Sequence, residues 1–407
     1  MTQVYLLADD LSGALEAGAA FSAVGWKVVL PLGATPPAAG EAGSLEVFST
    51  ETRSMGAAEA AVSLRRILAE REATGAQLLF KKIDSTLRGP LGAEVGALIT
   101  ELAPPLVVIC PANPAVGRTV RDGILYVNGV RLEKTDFRHD PAWPAKTGDV
   151  RARFAEQGVM MTGHIPLAVL AAGEAAVRAH ISARRGTGQG TSVLVSDAES
   201  SADIRTLVLA VRQADPETVF VGSGALGSVL AGLCPPPQKR NVTAMQVVGS
   251  MAVLCGSRHP ASHRQLNQFV RECHAAVLHI KPGAPLAGLV DAAVVNLDAR
   301  RHLVVKCDIG AVAQTPTSVS DCLAEFAFEL AEIRLPGVFY LTGGETAYAV
   351  CRRLGGKSLE IIRELEAGII LSLLRRFNHP DVAVITKPGG YGREDIMVKH
   401  FHEITKK

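Results

Sequence analysis

Short apolar runs alternate with helical patterns along almost the whole chain of 407 residues. The first example is the apolar run of residues 4–8, which is followed by a helical pattern over residues 12–24. This alternation is typical of α/β domains, in which helices connect the strands of a mostly parallel sheet. We therefore predict an α/β fold with mostly parallel sheets.

Strand-like runs are present in both halves of the chain. In the first half they are residues 27–30, 45–49, 78–83, 106–110, 192–195 and 218–221. In the second half they are residues 252–255, 276–280, 293–297, 303–307, 337–341 and 382–386. Three consecutive prolines at positions 235–237 fit neither a helix nor a central strand. We therefore predict two α/β domains, residues 1–234 and 245–407.

Charge and hydropathy exclude several classes of partner. Lys and Arg together number 42 and Asp and Glu 40, so the net charge of +2 offers little attraction to a nucleic acid. The apolar runs are far shorter than the roughly 20 residues of a membrane span, so no membrane partner is predicted. The N-terminus lacks the pattern of a signal peptide, and the seven cysteines form no C-x-x-C pair. These features predict a cytoplasmic protein with reduced thiols.

Polar clusters follow several predicted strands of the first half. Asp9 and Asp10 stand where the first strand turns into a helix, and helix capping explains only one of these carboxylates. The loop after residues 78–83 holds Lys82, Asp84 and Arg88. Such a density of charge predicts contact with an acidic ligand, because buried charges need partners. Arg53 follows another strand and is expected at the same edge, since ligands of open α/β sheets bind at the carboxyl ends of strands.

Glycine-rich loops follow three predicted strands of the second half. They contain Gly256-Ser257, Gly343-Gly344 and Gly389-Gly390. Glycines at such turns let backbone N–H groups approach an anion at the start of a helix. In a parallel sheet these three loops converge on one edge, which predicts a nucleotide or phosphate site.

Gly222, Gly224 and Gly227 match the G-x-G-x-x-G pattern of dinucleotide-binding folds. The acid expected about 20 residues later is missing, because residues 241–243 are Asn, Val and Thr. An NAD-dependent oxidoreductase acting on a small sugar acid therefore stays an alternative. A non-catalytic protein that binds a sugar acid is a second alternative.

Five segments taken together resemble the four-carbon acid sugar kinase family. They are residues 7–14 (LADDLSGA), 81–89 (KKIDSTLRG), 122–129 (DGILYVNG), 342–346 (TGGET) and 387–390 (KPGG), and they follow the family's order over essentially the whole chain. The resemblance implies an N-terminal domain that binds a four-carbon sugar acid and a C-terminal domain that binds ATP. It also implies phosphate transfer to the terminal hydroxyl with Mg²⁺, on threonate, erythronate or 3-oxotetronate. We favour threonate.

The resemblance also assigns site residues, with ligands expected in a cleft between the domains. The residues expected to bind the sugar acid are Asp10, Arg53, Lys82, Ile83, Asp84 and Ser85. The residues expected to bind ATP are Ser257, Gly343, Gly344, Glu345, Thr346, Gly389 and Gly390. No residue is assigned as a metal ligand.

The transferred phosphate requires a base to accept the hydroxyl proton. Asp84 is the first candidate, because Lys82 and Arg88 would keep it ionised beside an anionic substrate. Asp10 is the second candidate, and Arg88 is expected to assist by neutralising charge. We also expect a homodimer, the commonest arrangement of soluble enzymes.

Overall fold

The computed structural model describes residues 4–33, 44–70, 78–140, 142–184, 190–236, 249–257, 259–307 and 316–405. The chain divides into two compact units. The first comprises residues 1–24 and 45–235, and the second comprises residues 25–44 and 236–407. The prolines used to place the domain boundary stand where the first unit gives way to the second, and residues 237–248 lie outside the described part of the chain.

Strands and helices alternate in both units. The strands are β1 (Val4–Ala8), β2 (Lys27–Pro31), β3 (Ser44–Ser49), β4 (Leu78–Lys82), β5 (Leu106–Cys110), β6 (Arg118–Arg121), β7 (Ile124–Val127), β8 (Val130–Arg131), β9 (Gly163–Ile165), β10 (Ser192–Ser196), β11 (Val219–Gly222), β12 (Met251–Cys255), β13 (Ala276–Ile280), β14 (Leu303–Cys307), β15 (Val338–Thr342), β16 (Gly356–Glu366), β17 (Ile369–Arg376) and β18 (Val382–Lys387). The helices are α1 (Leu11–Ala23), α2 (Ala57–Glu70), α3 (Leu91–Leu102), α4 (Val150–Ala155), α5 (Leu167–Ala171), α6 (Glu174–Arg184), α7 (Ser201–Ala214), α8 (Gly224–Leu233), α9 (Pro260–Cys273), α10 (Ala287–Asp298), α11 (Pro316–Ile333), α12 (Gly344–Arg353) and α13 (Ile396–Thr405).

The first unit is built on a parallel sheet. Its strand order is β3-β1-β4-β11-β5-β10-β9, and neighbouring strands run in the same direction throughout. All residues of β4 and β5 are buried, as expected for central strands covered by helices on both faces. The carboxyl ends of β3, β1 and β4 therefore lie side by side at one edge. A small antiparallel sheet of β6, β7 and β8 is added to this unit.

The second unit has a mixed sheet. Strands β13, β14, β12, β15 and β18 are parallel neighbours in that order. The sheet continues through β17, β16 and β2, which pair antiparallel. The three strands that precede the predicted glycine loops, β12, β15 and β18, are adjacent, so their loops share one edge.

The predicted α/β class with mostly parallel sheets is confirmed, and one strand prediction is wrong. Residues 293–297, predicted as a strand, lie in α10, because a short apolar run fits a buried helix as well as a strand. The hairpin of β16 and β17 was not predicted. Residues 25–44, assigned by the sequence to the first domain, belong to the second unit, where β2 pairs with β16.

Within the described residues, no helix combines the length and the apolar character needed to cross a membrane. No disulfide bond joins any of the seven cysteines, all of which fall in that part of the chain.

His400 on α13 gives the second unit a specific sensitivity to acid. Its side chain is buried, and its Nδ1 lies 3.1 Å from the hydroxyl of Tyr340. Burial lowers the pKa of His400 to about 4. Between the usual value of about 6.5 and this value, the unfolded chain binds the proton more tightly than the folded one, so stability falls as the pH drops.

We expect this histidine to remove about 3 kcal/mol from the free energy of unfolding between pH 7 and pH 4. His400→Gln keeps an acceptor for Tyr340 without titrating in this range, so the variant should lose that much less over the same interval. Urea unfolding at both pH values measures the difference. The matched control is His402→Gln, an exposed position on the same helix, which should behave like the unmodified protein.

Candidate functional site

The polar clusters predicted in the first half meet at one edge of the first unit's sheet. Asp9 and Asp10 follow β1, Arg53 follows β3, and Lys82 and Asp84 stand at the end of β4. These strands are parallel neighbours, so their carboxyl ends place the side chains together. We call this arrangement the acid rim.

Arg53 connects the two carboxylates that follow β1. Its Nε and Nη2 atoms donate to the Oδ2 and Oδ1 atoms of Asp9, at 2.8 and 2.9 Å. Its Nη1 donates to Oδ2 of Asp10 at 2.6 Å. The side chain of Asp9 is fully buried, whereas that of Arg53 keeps 23% of its surface exposed. The guanidinium is therefore fixed in orientation and still open to solvent, as a binding group for an anion must be.

Asp10 caps a helix and also pairs with Arg53. Its Oδ1 accepts from the backbone N–H of Gly13 at 2.7 Å, which caps α1, while its Oδ2 binds Arg53. Burial and the neighbouring charge of Asp9 raise the pKa of Asp10 despite the opposing effect of Arg53. Burial would also raise the pKa of Asp9, but Arg53, Lys81 and Lys82 outweigh it and hold that pKa below its usual value.

The two lysines that end β4 point to different partners. The Nζ of Lys81 lies 2.6 Å from Oε1 of Glu94, and both side chains are fully buried. The Nζ of Lys82 lies 3.1 Å from Oε2 of Glu16, which is partly exposed. The pair of Lys81 and Glu94 is therefore part of the core, and Lys82 is the lysine that stands at the acid rim.

Asp84 is held by Arg88 in a two-point ion pair. Nε and Nη2 of Arg88 donate to its Oδ2 and Oδ1, at 2.9 and 3.0 Å. Thr86 adds its hydroxyl and its backbone N–H to the same Oδ2. Burial would raise the pKa of Asp84, but Arg88 and Arg53 outweigh it and hold this pKa far below its usual range. A carboxylate with so little affinity for a proton is a poor base, so the geometry favours a binding role for Asp84.

The remaining two residues predicted for the sugar acid differ in burial. The side chain of Ile83 lies in the core, and its backbone N–H donates to the carbonyl of Gly222 at 2.8 Å. Ser85 is half-buried beside Asp84. Of the two, only Ser85 keeps part of its surface exposed.

A segment that sequence reasoning missed, residues 136–140 and 142–143, contacts the acid rim. The indole N–H of Trp143 donates to the carbonyl of Arg53 at 2.5 Å. Oδ2 of Asp140 lies 3.5 Å from Nη1 of Arg88, whose guanidinium also lies 5.9 Å from the centre of the Phe137 ring. No motif marks this segment, because its contacts join residues 50 to 90 positions apart in the chain.

The three glycine loops of the second unit contact one another. The N–H of Gly343 donates to the carbonyl of Lys387 at 2.9 Å, and the N–H of Gly256 donates to the carbonyl of Thr342 at 3.2 Å. The hydroxyl of Ser262 donates to the carbonyl of Gly389 at 2.6 Å. These contacts join the ends of β12, β15 and β18 into one surface, which we call the glycine edge.

Glycine is required at this edge for two different reasons. A Cβ atom at Gly256 would stand 2.0 Å from the hydroxyl oxygen of Thr346, and one at Gly389 would stand 2.1 Å from that of Ser257. Gly343 has φ of 106°, a conformation that side chains rarely adopt, and it caps the N-terminus of α12. The edge thus combines closely packed loops with a helix N-terminus, and it is the helix N-terminus that suits a phosphate group.

The side chain of Lys387 binds backbone carbonyls of the glycine loop that follows β18. Its side chain is buried, and its Nζ donates to the carbonyls of Pro388, Gly389 and Tyr391 at 2.9, 2.9 and 3.0 Å. Burial lowers the pKa of Lys387 to about 8. The lysine therefore acts as an internal cation that holds these three carbonyls.

The dinucleotide-like glycines serve packing instead. A Cβ atom at Gly222 would stand 2.2 Å from the carbonyl of Cys110, and one at Gly224 would stand 2.2 Å from Oε1 of Glu16. One at Gly227 would stand 2.8 Å from the ring of Phe80. Each of these glycines is explained by a close contact with the protein's own atoms, so nothing here favours the oxidoreductase alternative.

Comparison with known proteins assigns a different type of ligand to each half of the chain. A model described as a sugar-binding N-terminal domain matches residues 4–230, and one described as a nucleotide-binding C-terminal domain matches residues 252–397. A D-threonate kinase from Bordetella bronchiseptica is 30% identical over 97% of this chain and 95% of its own length. A D-threonate kinase from Cupriavidus necator is 31% identical over 98% of each chain.

The chain belongs to the four-carbon acid sugar kinase family.

A solved structure supports the fold of this acid sugar kinase. A protein of Salmonella typhimurium LT2 superposes with a TM-score of 0.81 at 24% identity, over 99% of this chain and 100% of that chain. The sugar-binding match contains the acid rim, and the nucleotide-binding match contains the glycine edge. This phosphotransferase therefore has a charged edge within its sugar-binding match and a glycine-rich edge within its nucleotide-binding match.

Proposed function

We propose that this kinase transfers the γ-phosphate of ATP to the terminal hydroxyl of D-threonate. The observation that carries the proposal is that each unit presents its own anion-binding edge, one lined by arginine and lysine and the other by glycine N–H groups. Two of the relatives with the highest identity are D-threonate kinases, which favours this acid over its isomers.

The acid rim has groups for both parts of a sugar acid. Arg53, Lys82 and Arg88 supply positive charge for the carboxylate of the substrate, and each is already oriented by a carboxylate of the protein. Asp10 offers oxygens that accept hydrogen bonds from sugar hydroxyls. If one stereocentre of the substrate is inverted, its hydroxyl no longer meets these side chains, and a buried donor or acceptor is left without a partner. Such a site distinguishes isomers in this way.

The glycine edge has groups for the phosphates of ATP. The N–H groups of Gly344, Gly389 and Gly390, together with the hydroxyl of Ser257, would bind the phosphates, while the N–H of Gly343 is used by the carbonyl of Lys387. Mg²⁺ supplied with the nucleotide would neutralise phosphate charge during transfer. The described residues contain no group of three or more His, Cys, Asp or Glu side chains that could hold a metal ion by themselves. Glu345, exposed in the first turn of α12, is the carboxylate suited to share the ion with the phosphates.

The proposal is tested by coupled release of ADP in the presence of Mg²⁺. The panel contains D-threonate, L-threonate, D-erythronate and 3-oxotetronate. Each acid is assayed in one reaction with ATP and in a separate reaction with NAD. We expect D-threonate to give the highest kcat/KM. ADP release with none of the four acids would contradict the kinase proposal, and a preference for another acid would correct the substrate.

Two further predictions concern the whole protein. We propose that it is a homodimer, which light scattering of the purified chain tests. We also propose a cytoplasmic location, which cell fractionation tests.

A further inference from the structure

Glu51 differs from the other carboxylates around the acid rim. Five of them pair with a cation, namely Asp9, Asp10, Glu16, Asp84 and Glu94. Glu51 makes no ion pair within the described residues and accepts a hydrogen bond from the hydroxyl of Ser49. It is partly exposed. Glu51 is therefore the carboxylate of this group whose affinity for a proton is not suppressed by a direct cation contact.

The backbone holds Glu51 in an unusual conformation. Its φ of 50° lies in the left-handed region, which residues with a side chain rarely adopt. Contacts with the β1 end fix the chain on both sides: Thr50 N–H donates to the carbonyl of Ala8 at 2.8 Å, and Arg53 N–H to that of Asp9 at 3.1 Å. Such strain persists where surrounding contacts impose it and is concentrated at functional sites.

The surroundings of Glu51 tune its affinity for a proton. Burial raises the pKa of Glu51 to about 7. The negative charges of Asp10 and Asp9 act in the same direction, while the Ser49 hydroxyl and Arg53 oppose them. A general base is most effective when its pKa lies near the working pH, because it is then largely ionised and still accepts a proton readily.

We propose that Glu51 is the catalytic base of the phosphoryl transfer, a role that rests on the kinase function proposed above. The Glu51 carboxylate accepts the proton of the substrate's terminal hydroxyl as the hydroxyl oxygen forms its bond to the γ-phosphorus of ATP. The bond between that phosphorus and the β–γ bridging oxygen breaks, and the oxygen leaves with the electron pair on ADP. Asp84, which is paired with Arg88, is then a binding residue that contacts the substrate and does not accept its proton.

Glu51→Gln tests the role directly, since glutamine keeps the size and an oxygen for Ser49 but cannot take the proton. We expect kcat to fall by about 10²- to 10⁴-fold, while the KM for the acid changes by less than about threefold. In the unmodified enzyme kcat should rise with pH through an inflection near 7, and the variant should lack this inflection. Circular dichroism and the melting temperature verify folding.

Two other variants separate catalysis from positioning. Ser49→Ala removes a hydrogen bond that lowers the pKa of Glu51, so the inflection should move to higher pH. Asp84→Asn should raise KM and leave the inflection in place. Glu101→Gln, in an exposed pair with Arg65 near the C-terminal end of α3, is the matched control and should change neither kcat nor the pH profile.

The outcomes distinguish this inference from the proposed function. If the unmodified protein releases no ADP with any acid of the panel, the kinase function itself fails. If it turns over and Glu51→Gln keeps kcat within about threefold, or changes KM alone, Glu51 is not the base. If the inflection in the pH profile of kcat persists in Glu51→Gln but disappears in Asp84→Asn, the catalytic base is Asp84.

Discussion

Replacing Arg53 with methionine is expected to abolish turnover and to destabilise the first unit. The change leaves Asp9, whose side chain is fully buried, without its two-point partner, and it frees an oxygen of Asp10. Removing one partner of a buried ion pair costs about 3–5 kcal/mol, because the remaining charge stays buried without compensation. Unfolding in urea measures this loss. Turnover should fall at least about 100-fold in kcat/KM, since the group that orients the substrate carboxylate is absent.

The double variant Arg53→Met with Asp9→Asn separates stability from function. Removing the charge of Asp9 removes most of the electrostatic cost, so we expect the free energy of unfolding to recover by more than half. Turnover should not recover, because the substrate's carboxylate still lacks the guanidinium. A double variant that regains activity together with stability would show that Arg53 serves the fold alone.

The sequence predicted the location of both edges, because parallel strands bring their carboxyl ends together. Asp10, Arg53 and Lys82 stand together at the acid rim as predicted, and Ser257, Gly343 and Gly389 meet at the glycine edge. Local pattern was sufficient here, since each cluster directly follows the strand that positions it.

Long-range pairing was beyond this kind of reasoning. The strand at residues 27–30 was recognised, but nothing in its pattern shows that it pairs with β16, more than 300 residues away. The geometry of the pair between Asp84 and Arg88 was similarly hidden. The charges of Arg88 and Lys82 predicted an ionised carboxylate, whereas the two-point geometry with Arg88, which makes it a poor base, depends on how the loop folds. Glu51 gave no signal at all, since left-handed backbone is expected at glycine or asparagine.

Gly343→Ala is expected to block ATP binding while the sugar acid still binds. A Cβ at Gly343 meets only ordinary contacts, 3.6 Å from the Thr346 hydroxyl oxygen and 3.7 Å from the N atom of Ser257. The obstacle is its φ of 106°, which alanine does not tolerate. The loop must relax toward negative φ, so the N–H of residue 343 loses the carbonyl of Lys387 and the N-terminus of α12, where we propose that phosphate binds, is displaced. Calorimetry should show ATP affinity reduced at least about tenfold.

The matched control is Gly355→Ala, which isolates the cost of a strained backbone. Gly355 also has positive φ, 74°, and its Cβ position is open, but it lies beyond the other end of α12. We expect Gly355→Ala to lower stability by about 1–2 kcal/mol and to keep ATP affinity, because left-handed backbone at alanine costs this much wherever it occurs. If both variants lose ATP affinity equally, the loss reflects the lower stability of the second unit and not the backbone at Gly343. Loss in Gly343→Ala alone would mean that phosphate is held by the backbone at the N-terminus of α12.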